Sequence, residues 1–157
     1  MNIVIGSTRA GLQLKRAIIE YLTKQGHQVT DVGMQDEEHF VPYHIAAANV
    51  ASLVSQGKFE KGIVICGTGA GSAIVANKFK GVYAVHCTNS FEAKKASAIN
   101  NANVLVLAEW LTPSQHAFEI INDWLVTPFG SGFDKEWQKF LANCIDEIKD
   151  MEDKNFK

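Results

Sequence analysis

The chain has 157 residues and a formal net charge of −2, from 15 basic and 17 acidic side chains. Hydrophobic residues make up 46% of it, which is typical of a globular domain and excludes a mainly disordered chain. Proteins that hold nucleic acid normally carry a basic excess, so we expect no nucleic-acid partner. Only Arg9 and Arg16 are arginines, so a guanidinium clamp on an anion must use these two or come from another chain.

Cysteine usage and hydropathy favour a cytoplasmic protein. The three cysteines are an odd number without CxxC spacing, which fits a reducing compartment better than a disulfide framework. No stretch reaches the roughly 18 apolar residues of a membrane span, and the start MNIVIGSTRAG does not resemble a signal peptide. We therefore expect a cytoplasmic location and no membrane association.

Short apolar runs alternate with longer segments of helical period along the chain. The predicted strands are residues 2–5, 29–32, 62–66, 82–85 and 104–107. Each is followed by a predicted helix, at residues 11–26, 42–56, 71–80, 90–99 and 112–126. After a glycine-rich break, a last helix is predicted at about residues 133–151.

Strands that alternate with helices predict an α/β fold, with a parallel sheet covered on both faces. No linker, repeat or low-complexity segment divides the chain, so residues 1–157 are expected to form a single domain. In such sheets ligands bind beyond the carboxyl ends of the strands. The loops after strands one, three, four and five are therefore expected to hold a site.

The strongest local signal is the segment CGTGAGS, residues 66–72, after the third predicted strand. Its glycines leave backbone N–H groups free at the start of a helix, which predicts an anion or oxyanion site. The GxGxG spacing is neither the dinucleotide fingerprint nor a Walker A loop. Cys66 ends the strand, where helix N-terminal amides favour a thiolate that can act as base or nucleophile. The alternative is a buried, apolar cysteine beside a tight turn.

The run ICGTGAG…ANK, residues 65–78, resembles the catalytic loop of the ribose-5-phosphate isomerase B family, which includes the galactose-6-phosphate isomerase subunits. Weaker signals extend the resemblance over about residues 1–132: IGSxxAG after strand one, Pro42, and the runs at 81–87 and 100–105. The resemblance implies a Rossmann-like three-layer α/β/α sandwich with a five-stranded parallel sheet. It also implies cofactor-free aldose–ketose isomerisation through a cis-enediolate, in a homodimer or homotetramer.

Residue roles follow from the same resemblance. Cys66 would be the base that moves a proton between C1 and C2, and Thr68 would assist proton transfer at the oxygens. The backbone of residues 67–71 would hold the developing oxyanion. Some family members carry a glutamate base where this chain has Ser72. The substrate-binding residues expected in full are Thr8, Arg9, Gly67, Gly69, Ala70, Gly71, Ser72 and Asn100, the last for a sugar hydroxyl.

The chain departs from the family pattern where the substrate is bound. The Asp-His pair of the first loop is Thr8-Arg9 here, and the ring-opening histidine is replaced by Ile99. Positions at which the family uses arginines for the substrate phosphate hold Trp110, Phe133 and Trp137. These aromatic rings could stack on sugar C–H surfaces, or they could be ordinary core and interface residues.

Three side chains could compensate for these departures. Arg9 could bind a carboxylate or phosphate, or be a solvated loop residue. His44 and His86 could replace the ring-opening histidine, with Trp110 as a further auxiliary, or be ordinary residues at helix and strand ends. The histidines show neither HxH nor HExxH spacing, so no metal site is expected.

Three functions are consistent with these residues. The first is a homo-oligomeric aldose–ketose isomerase for a sugar or sugar acid without the usual terminal phosphate. The second is a subunit of a hetero-oligomeric sugar-phosphate isomerase whose homologous partner supplies the histidine and arginines. The third is a non-catalytic sugar-binding paralogue, which the retention of Cys66 and Thr68 disfavours. In the oligomeric enzymes the last helix, at about residues 133–151, is expected at the subunit interface.

Overall fold

The computed structural model describes residues 1–156 as one five-stranded sheet with helices on both faces. The strands are β1 (Asn2–Ser7), β2 (Gln28–Asp31), β3 (Lys61–Cys66), β4 (Ala84–His86) and β5 (Val104–Ala108). The helices are α1 (Leu12–Lys24), α2 (Tyr43–Ser55), α3 (Ala70–Ala76), α4 (Ser90–Asn100), α5 (Ser114–Val126) and α6 (Lys135–Asn155). One turn of 3₁₀ helix (Arg9–Gly11) precedes α1.

The sheet has the strand order β2-β1-β3-β5-β4, and its strands pair in parallel. Strand β3 therefore lies at the centre, where Ser7 of β1 is opposite Ile65 and Ala108 of β5 is opposite Cys66. The Rossmann-like three-layer α/β/α fold expected from the sequence is confirmed. The carboxyl ends of β1, β3 and β5 meet at one edge, where the glycine-rich segment begins.

Each face of the sheet has its own hydrophobic core, because successive side chains of a strand point to opposite faces. Ile5 and Ile63 pack on the face that is covered by α1, α4 and α5, together with the fully buried Trp124. Val4 and Val64 pack on the opposite face, against α2 and α3. Both faces are covered, which explains why the central strands β1, β3 and β5 contain continuous apolar runs. No helix within residues 1–156 has the length and hydropathy that a bilayer crossing requires.

The region before β4 differs from the prediction. The strand begins at Ala84 and not at Val82, and α3 ends at Ala76 and not near Lys80. The side chain of Asn77 explains both differences, because it accepts from the Ala84 N–H and donates to the Ala84 carbonyl, each at 2.8 Å. The first residue of β4 is thus bonded to a side chain, and the N–H of Val82 donates to the carbonyl of Phe79 and not to a neighbouring strand. The last helix also runs longer than predicted, to Asn155.

Candidate active site

A cavity of about 410 Å³ opens at the carboxyl ends of β1 and β3. It is lined by Thr8, Ala10, Phe40, Pro42, Tyr43, His44, Cys66, Gly67, Thr68, Gly71 and Trp110. These residues come from the loops after β1, β2, β3 and β5. The expected contribution from the loop after β4 is not found, because no residue of that loop is among the lining residues. The loop after β2 takes its place.

Cys66 is the last residue of β3, and its side chain reaches the cavity although the residue is only 6% exposed. The backbone N–H of Gly69 donates a hydrogen bond to Sγ of Cys66 at 3.0 Å. Gly69 has φ +80°, a left-handed conformation that few other residues adopt, and it immediately precedes α3. This hydrogen bond holds the sulfur of Cys66 beside the glycine turn, at the wall of the cavity.

Aromatic rings pack directly against the glycines of the segment 66–72. The pairs are Gly67 with Trp110, Gly69 with His86 and Gly71 with Tyr43. A Cβ atom at these three glycines would lie 2.9, 2.4 and 2.6 Å from the ring, in that order. The rings therefore require glycine at each position, and two of them, Trp110 and Tyr43, also form walls of the cavity.

The two candidate histidines lie in different environments. His44, in the first turn of α2, is exposed, lines the cavity and contacts the ring of Tyr43 edge-on at 5.5 Å between centroids. His86 packs behind the glycine segment, and its buried Nε2 has no hydrogen-bond partner within residues 1–156. Burial lowers the pKa of His86, and the nearby Glu92 carboxylate opposes this shift. Only His44 is therefore placed to contact a ligand in the cavity.

Arg9 lies at the rim of the cavity and not in its wall. Its side chain is exposed, and Nη2 donates to the carbonyl of Glu37 at 3.1 Å. The guanidinium carbon lies 5.7 Å from the ring centroid of Phe40, which does line the cavity. Arg9 thus supports the Phe40 wall and keeps further N–H donors near the cavity mouth.

The structure brings together part of the site expected from the sequence. Thr8, His44, Cys66, Gly67, Thr68, Gly71 and Trp110 line the cavity. Arg9, Gly69, Ala70, Ser72, His86 and Asn100 do not line it in this chain. Ser72 is fully buried and its Oγ has no partner in the described part of the chain, while Asn100 is exposed at the end of α4.

Phe40 and Tyr43 were not predicted as site residues. They flank Pro42 in a segment that follows a polar stretch, and the two aromatic residues on either side of the proline are the one cue the sequence offers. Within residues 1–156 no three His, Cys, Asp or Glu side chains gather closely enough to hold a metal ion. The cavity therefore presents a thiol, backbone amides, hydroxyls and aromatic faces.

Comparisons with known proteins identify the family of this chain. A family model described as Ribose/Galactose Isomerase matches residues 3–139. A 4-deoxy-4-sulfo-D-erythrose isomerase from a Clostridium species is 37% identical over 157 residues, 100% of this chain and 99% of that protein. A D-erythrulose-4-phosphate isomerase from Pectobacterium atrosepticum is 36% identical over 84% of this chain and 87% of its own.

Solved structures give the same result. Ribose-5-phosphate isomerase B from Clostridium thermocellum superimposes with a TM-score of 0.89, at 38% identity and with 99% of each chain covered. The resemblance inferred from the segment at residues 65–78 is thereby confirmed over the sheet and the helices. The chain belongs to the ribose/galactose isomerase family and is an aldose–ketose sugar isomerase.

Proposed function

We propose that this isomerase interconverts a four-carbon aldose and its ketose, with a sulfonate at C4 of the substrate and Cys66 as the base. The observation that carries the proposal is the Cys66 thiol, which faces a cavity with an N–H donor at 3.0 Å from its sulfur and no lysine or arginine among the lining residues. Two similar relatives are named as isomerases of four-carbon substrates, one a sulfonate and one a phosphate.

The proposed reaction is a proton transfer that needs no external oxidant. The Cys66 thiolate takes the proton from C2 of the aldose, and the electron pair forms the C1–C2 double bond of a cis-enediolate. Backbone N–H groups of residues 67–71 stabilise the oxyanion as it forms. The Thr68 hydroxyl moves a proton between O1 and O2, and Cys66 returns the first proton to C1 to give the ketose.

A four-carbon substrate blocked at C4 also agrees with the loss of a ring-opening histidine. Ring closure to a furanose uses the hydroxyl on C4, and a sulfonate or phosphate at C4 removes it. Such a sugar stays open, so the Ile99 that replaces the family histidine has no consequence for turnover. His44 then serves as a wall of the cavity. The substrate anion would be met at the cavity mouth by the one nearby arginine, Arg9.

The test is turnover by the purified full-length chain in D₂O, followed by NMR. We expect conversion of 4-deoxy-4-sulfo-D-erythrose with deuterium incorporation, slower conversion of D-erythrose 4-phosphate, and much slower conversion of ribose 5-phosphate, which forms a ring. Cys66→Ser should lower kcat by about 10²–10⁴-fold. Cys144→Ser, in α6 and outside the cavity, is the matched control. Full activity of Cys66→Ser would exclude the cysteine base.

We also propose that the chain acts as a homo-oligomer with α6 at the interface. Exposed apolar side chains follow one another along this helix: Trp137, Phe140, Ile148 and Met151. A contiguous apolar face of this kind supports association with a second chain. Sedimentation of the wild type and of Phe140→Asp tests this, with dissociation expected for the variant.

The unpaired cysteines in residues 1–156 support the proposed cytoplasmic location.

The lack of lining cations also supports a second candidate, a subunit of a hetero-oligomeric sugar-phosphate isomerase. In that case the partner supplies the basic groups that hold a phosphate dianion. The chain alone would then be inert on every substrate above and become active on a sugar phosphate when a homologous, arginine-bearing subunit is added. Binding of sugars without turnover under both conditions would indicate a non-catalytic paralogue.

A further inference from the structure

We infer that Trp110 is a specificity residue of this site, whose indole ring selects a singly charged sulfonate over a phosphate dianion. The inference rests on the proposed function, because it concerns the terminal group of the same four-carbon substrate. It names the side chain that makes this choice, and it follows from the position of the ring beside Cys66.

Backbone hydrogen bonds hold the loop that carries Trp110 next to the glycine segment, residues 66–72. The N–H of Trp110 donates to the carbonyl of Gly67 at 3.1 Å, and the preceding N–H, of Glu109, donates to the carbonyl of Cys66 at 2.9 Å. The loop after β5 is thereby bonded residue by residue to the end of β3. The backbone of Trp110 cannot move away from the cavity without breaking these bonds.

The indole ring lies face-on to Gly67. A Cβ atom built on Gly67 would be 2.9 Å from each of three ring atoms of Trp110, which places the ring directly over this residue. The residue is nevertheless 70% exposed. One face of the ring therefore packs on the glycine segment, and the other is open to a ligand.

The rest of the lining is also poor in charge. Phe40, Pro42 and Tyr43 also line the cavity, and His44 is the one basic side chain among the lining residues. Arg9 stands at the rim with part of its guanidinium engaged by the carbonyl of Glu37. One arginine can balance a single negative charge, whereas a phosphate ester carries nearly two at pH 7 because its second pKa is about 6.

Charge and hydration together then decide between the two anions. A dianion that leaves water for carbon surfaces loses more hydration free energy than a monoanion, and an indole face returns none of it. A guanidinium at the same place would return it through paired hydrogen bonds. The ring of Trp110 therefore penalises phosphate, and a cation at residue 110 should remove the penalty.

The experiment measures the dissociation constants of 4-deoxy-4-sulfo-D-erythrose and D-erythrose 4-phosphate by calorimetry, in a Cys66→Ser background that does not turn them over. Trp110→Arg should raise the affinity for phosphate relative to sulfonate by about tenfold or more, the effect of roughly one charge-assisted hydrogen bond. Trp110→Phe keeps an aromatic face and should leave the ratio near that of the parent chain.

Leu111→Arg is the matched charge control, because Leu111 is the next residue, is 62% exposed and does not line the cavity. A ratio that moves with Trp110→Arg and not with Leu111→Arg supports the inference. Equal shifts in both variants, or no shift in either, overturn the inference about Trp110. In that case, binding of the sulfonate by the parent chain leaves the proposed function standing. A parent chain that binds neither sugar overturns both.

Discussion

The ammonium group of Lys15 lies 2.6 Å from a carboxylate oxygen of Asp31, and the Lys15 side chain is only 1% exposed. The same ammonium donates to the carbonyl of Met34, while Asp31 accepts a hydrogen bond from the N–H of Gly33 at 3.0 Å. This buried ion pair joins α1 to the end of β2 and to the start of the loop that carries Phe40. It therefore holds one wall of the cavity in place.

Removing one partner of this pair should be costly, because the other charge is left largely buried. We expect Lys15→Met to lower the free energy of unfolding by about 3–5 kcal/mol in chemical denaturation. The double variant Lys15→Met/Asp31→Asn should recover part of that loss. Lys24→Met, which breaks the exposed pair with Glu20, should change it by less than about 1 kcal/mol. A loss for Lys15→Met as small as for Lys24→Met would contradict the assigned role.

Gly69 and Gly26 offer a matched pair of substitutions, since their φ angles are +80° and +82°. Alanine at either position should cost about 1–2 kcal/mol of backbone strain. At Gly26 nothing lies within 4 Å of the new Cβ, whereas at Gly69 it meets the ring of His86 at 2.4 Å. We expect Gly69→Ala to displace the N–H that donates to Cys66 and to lower kcat by about tenfold or more, roughly the loss of one such donor.

Gly26→Ala should leave kcat unchanged, although it lowers the melting temperature. The double variant Gly69→Ala/His86→Ala removes the obstructing ring and should regain part of the activity. If the two glycine variants have the same kcat, the hydrogen bond to Cys66 does not contribute to the reaction.

The sequence predicted the elements whose signal is local. The central strands β1, β3 and β5 contain uninterrupted apolar runs, and the glycines after β3 predict a site because they leave backbone N–H groups free at the start of a helix. Phe40 and Tyr43 were missed, because their position depends on a loop that distant side chains hold. The side chains of Arg16 and Asn49 donate hydrogen bonds to the carbonyls of Gln35 and Val32, which belong to the loop that carries Phe40. Such contacts between helix side chains and a loop backbone have no sequence pattern.

The start of β4 was misplaced for a related reason. Val82 and Tyr83 are apolar and aromatic and fit a strand, but asparagine side chains form hydrogen bonds to backbone groups in this region. Asn103 accepts from the N–H of Tyr83 at 2.8 Å, as Asn77 does for Ala84. Periodicity cannot distinguish a strand ladder from backbone groups that are satisfied by asparagine side chains.

Arg9 tests the proposed contact with the substrate anion. We expect Arg9→Ala to raise KM by about tenfold or more and to lower kcat less, because an anion contact far from the reacting carbons acts on ground and transition states alike. Arg16→Ala removes a comparable bond to a loop carbonyl and leaves the Arg9 side chain in place over Phe40, so its KM should change little. Steady-state kinetics with 4-deoxy-4-sulfo-D-erythrose measures the KM and kcat of the two variants. Equal KM values for the two variants would mean that Arg9 only supports the loop.

His86 should make the folded chain sensitive to mild acid. Burial lowers its pKa in the folded state, and the nearby Glu92 carboxylate only partly offsets this. Below about pH 6.5, the ordinary value of the imidazole, the unfolded chain binds a proton that folded His86 resists, so stability falls as pH drops toward the lowered pKa. Other groups packed nearby matter less, because Gly69 contributes only backbone and Cys87 stays a neutral thiol, its pKa being raised by burial to about 12.

The measurement is the free energy of unfolding at pH 7.5 and pH 5.5 for the wild type and two variants. His86→Gln removes the titrating ring, so its stability should fall less between the two pH values than that of the wild type. His116→Gln replaces an exposed histidine of α5 and should follow the wild-type curve. Because the ring packs on Gly69, wild-type kcat should decline over the same interval, since a charged imidazole whose Nε2 has no partner within residues 1–156 weakens the packing around the turn that holds Cys66. Identical pH dependence in all three proteins would show that His86 is already hydrated in the folded chain.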